Sequence, residues 1–189
     1  LSHTPSTING VIEMTSTTAS RLGLLSLATL LLTILTTGVH HVFRLGPELI
    51  LPVVFALALA ATLFLLYRRT GRRGFLAAYA AFAGLIVFWF GFLDGFLDHV
   101  VKAVGLENIT FLPGSDEAII ATVYRLGSQE ATAAFYEGTG ILSALFALAA
   151  LVSSALYLAA HSDAPPLRTQ VRGPHERGSF SPRLPSRSC

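Results

Sequence analysis

A chain of 189 residues that is 52% hydrophobic and 13% charged, with a mean hydropathy of +0.62, has the length of one domain and is too apolar to be a soluble one. Its formal net charge of +2 hides a strong segregation of sign along the chain, and nothing in it calls for nucleic acid as a partner. With Cys189 as the only cysteine, the sequence holds no disulfide framework, no C-x-x-C redox pair and no thiolate metal cluster.

Residues 1–21 read as a flexible N-terminal segment, in which the only methionine, Met14, marks residues 1–13 as upstream sequence or an alternative start. Four stretches follow, 22–43, 49–67, 75–93 and 138–160, each with the length and lack of charge of a spanning helix. About 20 apolar residues rising about 1.5 Å each cover a hydrocarbon core about 30 Å thick. In lipid such runs fold as helix, because every backbone N–H and C=O needs a partner within the segment. The short alternating strands of a membrane β-barrel are missing. Leu22–Val39 is long for the apolar part of a secretory signal and lacks a small-x-small cleavage site, so it reads as the first span. The expected fold is an all-α integral membrane four-helix bundle over residues 22–160.

Arginine sets the orientation. The loop Arg68-Arg69-Thr70-Gly71-Arg72-Arg73 and the tail with Arg168, Arg172, Arg177, Arg183 and Arg187 belong on the cytoplasmic side, which places both chain ends inside. The opposite side receives the turn 44–48 and the outer loop 94–137, which together carry eight acids against Arg44, Lys102 and Arg125. Within that loop, Ser115, Asp116 and Glu117 predict the start of a short helical cap before Ala118–Leu126, and Ser128 with Glu130 predicts an N-cap leading into the fourth span. Residues 161–189 are rich in Pro, Ser, Arg and Gly and read as a disordered basic cytoplasmic tail near the anionic inner leaflet. The strong preference for arginine over lysine, with abundant Ala, Leu and Gly, suits a GC-rich bacterial genome and hence a multi-pass protein of a bacterial cytoplasmic membrane.

Helical residues advance about 100° each, so faces can be sorted from the sequence. Measured from Gly91, residues Asp94, Gly95, Asp98, His99 and Lys102 all fall within about 80°, with Asp94 and His99 at opposite edges about 140° apart. Leu93, Phe96, Leu97 and Val100 take the other side, and the Phe-Trp-Phe run at 88–90 reads as lipid-facing or packing surface. Gly91 and Gly95, with Gly84 two turns below, have the small-residue spacing that admits a close neighbour, so the polar stripe is expected to face protein. Around His40 in the first span, Ser26, Thr29, Thr33, Thr36 and Arg44 lie within about 40°, a row of hydroxyls ending in an imidazole and a guanidinium. His41 occupies the next face, and Glu48 and Glu137 begin the second and fourth spans at the same level.

His40, His41, Asp94, Asp98, His99 and Glu137 are therefore candidates for a metal or proton site, with Arg44, Gly91, Gly95 and Lys102 in support. They are ligand types that zinc, copper or non-haem iron accept, arriving from facing helices of a bundle. Haem b is a further candidate, held by His40 or His41 opposed to His99. A purely structural reading pairs Asp98 with Lys102 one helical turn away and Asp94 with Arg44, and leaves the histidines as interfacial residues.

The string Phe92-Leu93-Asp94-Gly95-Phe96-Leu97-Asp98-His99 resembles the F-x-D-G-x-x-x-H signature of a family of small predicted bacterial membrane proteins of unknown function. The resemblance covers about a dozen residues of the third span. It departs from that family where Val100–Leu106 lacks a further histidine pair. It implies that Asp94, Gly95 and His99 act as a unit, and it brings no activity with it.

The sequence specifies no reaction. It leaves three roles open: a structural or ligand-binding membrane protein, a transition-metal or haem-binding accessory subunit of a membrane enzyme, and a small transporter. The transporter ranks last because no repeat or broken-helix pair marks a midplane site. The expected partners are the lipid bilayer, other membrane subunits and a second copy of the chain.

Overall fold

A computed structural model describes residues 6–106, 124 and 126–162, with side chains for residues 17–106, 124 and 126–161. The described chain is helical and contains four long helices. Helix α1 covers Ser6–Leu45; α2, entered through a 3-10 turn at Pro47–Leu49, covers Ile50–Thr70. Helix α3 runs over Arg73–Ala103 and α4 over Gln129–Ser162. Within them, Thr17–Leu45, Pro47–Thr70, Arg73–Ala103 and Gln129–His161 are long and apolar enough to cross a membrane.

The helices extend beyond the expected bounds. α1 begins at Ser6, inside the segment read as flexible, since a long apolar helix propagates cheaply once nucleated. α3 continues ten residues past 93, so Asp94, Asp98, His99 and Lys102 stand on helix and not at the start of a loop. α4 starts at Gln129, where the Ala131 N–H donates to Ser128 Oγ at 3.1 Å, the cap that the sequence predicts. Of the helical cap expected over Ala118–Leu126 only Tyr124 and Leu126 are described, and neither is helical; the rest of it and the tail beyond Ser162 lie outside the described residues.

α2 and α3 are joined by a tight turn at Gly71. Its φ of 64° is left-handed, and its N–H donates to Tyr67 O at 2.8 Å, which closes α2 in a way that favours glycine.

α1 and α4 form the central pair, α3 lies against α4, and α2 packs on α1 and α3 and meets α4 only through aromatic rings at one end. The apolar core, including Leu30, Ile34, Phe64, Tyr79, Ile86 and Ala150, fills the space between them. Outward positions are apolar too, with Leu51 76% and Phe55 66% exposed on α2, as befits helices whose solvent is hydrocarbon. The α1–α4 seam is polar. Ser26 hydrogen-bonds with Ser154 and Tyr79 at 2.8 Å, Thr29 with Ser153 at 3.0 Å, and Thr37 with Ser143 at 2.8 Å. Three of the row of α1 hydroxyls expected from the sequence, Ser26, Thr29 and Thr33, are buried, and Thr36 is half-buried.

The third span departs most from expectation. Val87–Val100 is a π-helix, with hydrogen bonds running i→i+5, so residues five apart come much nearer to one face than on an α-helix. Phe88 and Trp89 face outward as predicted, whereas Phe90 turns in against His41 with ring centroids 5.6 Å apart.

Gly91 and Gly95 do admit a close neighbour. A Cβ on Gly91 would collide with Ala147, and one on Gly95 would stand 2.9 Å from the Ala144 backbone nitrogen. Gly84 takes no part: it is exposed, with nothing within 4 Å of the same point. Gly95→Ala is therefore expected to lower stability in detergent by about 1–3 kcal/mol through overpacking. Gly84→Ala should be neutral or slightly stabilising, since alanine is the better helix former. Thermal midpoints of the two purified variants decide it: equal midpoints would mean that the α3–α4 contact is not tight.

Candidate metal centre

Three histidines meet at the end of the bundle opposite the arginine loop, and each is anchored through the same ring nitrogen. His40 Nδ1 donates to Tyr136 O at 3.2 Å and to Thr139 Oγ1 at 3.0 Å. The Thr139 hydroxyl spends its own proton on carbonyls of α4, both at 2.9 Å, so towards His40 it can only accept. His99 Nδ1 donates to Glu137 Oε2 at 2.8 Å, and His41 Nδ1 donates to Thr37 O at 3.0 Å. Because carbonyl and carboxylate oxygens only accept, the proton of each neutral ring sits on Nδ1, and Nε2 keeps a free lone pair.

Nε2 of His40 and of His99 is fully buried and has no hydrogen-bond partner among the described residues. Both imidazoles are 0% exposed. Their ring centroids lie 4.7 Å apart, edge to face, and Asp94 joins them: one ligand atom each from His40, Asp94 and His99 lie within 4.8 Å of one another. This His/Asp group has the composition and spacing to hold a metal ion. His41 stands beside it, with Nε2 3.8 Å from Asp94 Oδ1.

The π-helix makes this possible. On an α-helix Asp94 and His99 would diverge by about 140°, but at a spacing of five in a π-helix they share a face. The remaining residues hold the group in shape. The His99 ring lies directly on Gly140, where any Cβ would run into it. Tyr136 stacks on His40 with centroids 4.2 Å apart and meets His99 edge-on at 5.0 Å. Its hydroxyl accepts from buried Arg44 Nη1 at 2.7 Å.

Of the candidates read from the sequence, His40, Asp94 and His99 come together and His41 borders them. Glu137 is not one of the three grouped residues: it accepts from Nδ1 of His99, and its other oxygen accepts from Lys102 Nζ at 2.6 Å, which fixes the His99 ring from behind. Lys102 thus reaches across to α4. Asp98 is buried on α3 and is not one of the three grouped residues, and Arg44 serves through Tyr136. Contact between the His40 and His99 rings leaves no slot for a porphyrin between them, so the arrangement does not suit haem held by that pair. Sequence reasoning missed Tyr136, Thr139 and Gly140, the residues of α4 that seat both imidazoles.

Compared with protein-family models, with curated proteins and with solved structures, the chain matches none.

Tyr136→Phe keeps the ring on His40 and removes only the acceptor of Arg44. Hydrogen bonds to charged groups contribute about 1.5–3 kcal/mol, and a loss of that order in the detergent-unfolding midpoint is expected. An unchanged midpoint would show that Arg44 does not depend on this hydroxyl.

Proposed function

We propose that this protein is a multi-pass membrane protein, with both ends in the cytoplasm, that binds one transition-metal ion through His40, Asp94 and His99, with His41 as the adjacent fourth donor. The reading is carried by one observation: one ligand atom each from His40, Asp94 and His99 lie within 4.8 Å of one another, while Nδ1 of each buried imidazole is held from behind and Nε2 has no hydrogen-bond partner among the described residues. Metal-ligating histidines characteristically donate their second N–H to a carboxylate or a backbone carbonyl, which fixes the tautomer and strengthens the ligand. His99 with Glu137 and His40 with Tyr136 O are one of each kind.

Three ligands each about 2.1 Å from one ion can be mutually at most about 3.6 Å apart. Ligand atoms within 4.8 Å of one another therefore close around an ion with movements of up to about 0.7 Å each. Two imidazoles and one carboxylate suit zinc, copper or non-haem iron and disfavour magnesium or calcium, which take oxygen. The partial resemblance of the third span, in which Asp94, Gly95 and His99 act as a unit, agrees with this assignment: Gly95 lets α4 approach and the other two supply ligand atoms.

A rival reading makes the same residues a clamp, because Lys102, Glu137 and His99 form a continuous chain of contacts from α3 to α4. Titration of the metal-stripped protein with Zn²⁺, Cu²⁺ and Fe²⁺, with elemental analysis after desalting, separates the two. One equivalent should bind, and His40→Ala with His99→Ala should abolish it. Glu137→Gln, which leaves all three ligands in place, should weaken binding by about 10–100-fold without changing stoichiometry. Metal at background level in the parent protein, or full retention after the histidine changes, would leave the clamp as the account of these residues.

A further inference from the structure

A second cavity, of about 340 Å³, opens at the other end of the bundle, between α1, α2 and α4. Its lining is unlike that of the lipid-facing grooves higher up, because phenolic, guanidinium and imidazole groups share it. Tyr67 and Arg68 come from the end of α2, and Tyr157 and His161 from the end of α4. The rings of Tyr67, Tyr157 and His161 touch in a triangle, with centroids 6.4, 5.6 and 4.5 Å apart, and form one wall. Gly23 of α1 makes room for it: a Cβ there would stand 2.7 Å from the Tyr157 ring.

Charge identifies the class of ligand. Among the described residues, no carboxylate lines the cavity. The acids with described side chains, Glu48, Asp94, Asp98, Glu130 and Glu137, all belong to the opposite end of the helices. The guanidinium of Arg68 lies 5.9 Å from the Phe64 ring, which sets it against the cavity wall. Arg69, Arg72 and Arg73 follow in the adjoining turn and make the whole mouth positive. His161 Nδ1 donates to Tyr157 O at 2.8 Å, leaving Nε2 as a further polar atom in the lining. At more than ten times the roughly 30 Å³ that one water takes up, the space accommodates a headgroup and not only a small ion.

From this juxtaposition we infer that the cavity binds a phosphate-bearing anion, with Arg68 as the charged contact, His161 and the two tyrosines as polar contacts, and Phe64 below them. The phosphodiester of an anionic phospholipid and a free phosphate share this chemistry. At a membrane interface the lipid is the source already at hand, and each basic residue near an anionic surface contributes about 1 kcal/mol. The inference is independent of the metal assignment, since the two sites share no residue.

The test uses the full chain in detergent. Native mass spectrometry measures retention of phosphatidylglycerol against phosphatidylcholine, with and without inorganic phosphate. Phosphatidylglycerol should be retained preferentially, and Arg68→Gln should weaken it about fivefold. His161→Gln should weaken it as well, while Arg72→Gln, outside the cavity lining, should cost clearly less than Arg68→Gln. Displacement by millimolar inorganic phosphate would identify free phosphate as the source, and resistance to it would identify the lipid. Equal retention of the two lipids, or equal losses for Arg68→Gln and Arg72→Gln, would overturn the site and leave only a diffuse basic rim.

Discussion

Hydrocarbon offers no hydrogen bonds, so each polar group placed between these helices has to be answered by another group of the protein. The architecture follows from that constraint. Threonine and serine on α1 take up backbone carbonyls of their own helix, as Thr33 does with Thr29 O at 2.9 Å, and meet hydroxyls of α4 across the seam. Such contacts are worth only about 0.6 kcal/mol each on average in membrane bundles. Several of them in register nevertheless determine which faces of α1 and α4 pair, because the apolar surfaces alone would pack on lipid nearly as well.

At the end opposite the arginine loop the same demand selects an orientation for each imidazole. A histidine ring has two nitrogens and one proton when neutral, so satisfying Nδ1 leaves Nε2 bare. His40 and His99 are both answered on Nδ1 by neighbouring residues of α4, Tyr136 with Thr139 and Glu137 respectively. One ligand atom from each ring and one from Asp94 lie within 4.8 Å of one another. Burying two such lone pairs without partners costs roughly 1–3 kcal/mol each. Turning either ring over would only exchange the two nitrogens, because a neutral imidazole has one proton for both, so the cost is relieved only by a group that donates to or coordinates the bare nitrogen.

Much of this was legible in the sequence, and the parts that were not have physical reasons. Long uninterrupted apolar runs can only be helices in lipid, so the number of spans was readable. The hydroxyl row of α1 was readable because α1 is an ordinary α-helix and 100° per residue holds along it. The third span was legible in its face but not in its pitch. Gly91, Gly95, Asp98 and His99 are buried and Phe96 is exposed, as the polar stripe implies, but it is the i→i+5 bonding that brings Asp94 and His99, about 140° apart on an α-helix, into one group. Glu137 was recognised as an acid at the right depth. Which nitrogen of His99 it would contact depends on where α4 docks, and no spacing within one helix encodes that. The supporting row on α4, Thr132, Tyr136, Gly140, Ser143, Ala147, Ala150 and Ser154, recurs every three or four residues and is buried throughout. Sorting α4 by face as α1 was sorted would have found it.

The π-helix also explains why small residues are needed on both partners. Insertion of extra residues per turn widens α3, and a wider helix can reach the depth of His40 only if its neighbour gives way. Gly91 and Gly95 on α3, Ala144 and Ala147 on α4, and Gly140 beneath the His99 ring remove side-chain bulk at successive levels along this contact. The polar ligands and the small residues are thus one device: close backbone approach brings the His99 imidazole past α4 and onto α1, and the i→i+5 step sets Asp94 beneath it. α2 contributes none of the three grouped ligands and packs more loosely than its neighbours. A metal held here would tie α1 to α3 through side chains already fixed by α4, so rigidity of the site would come from three spans while the fourth remains free to answer the lipid.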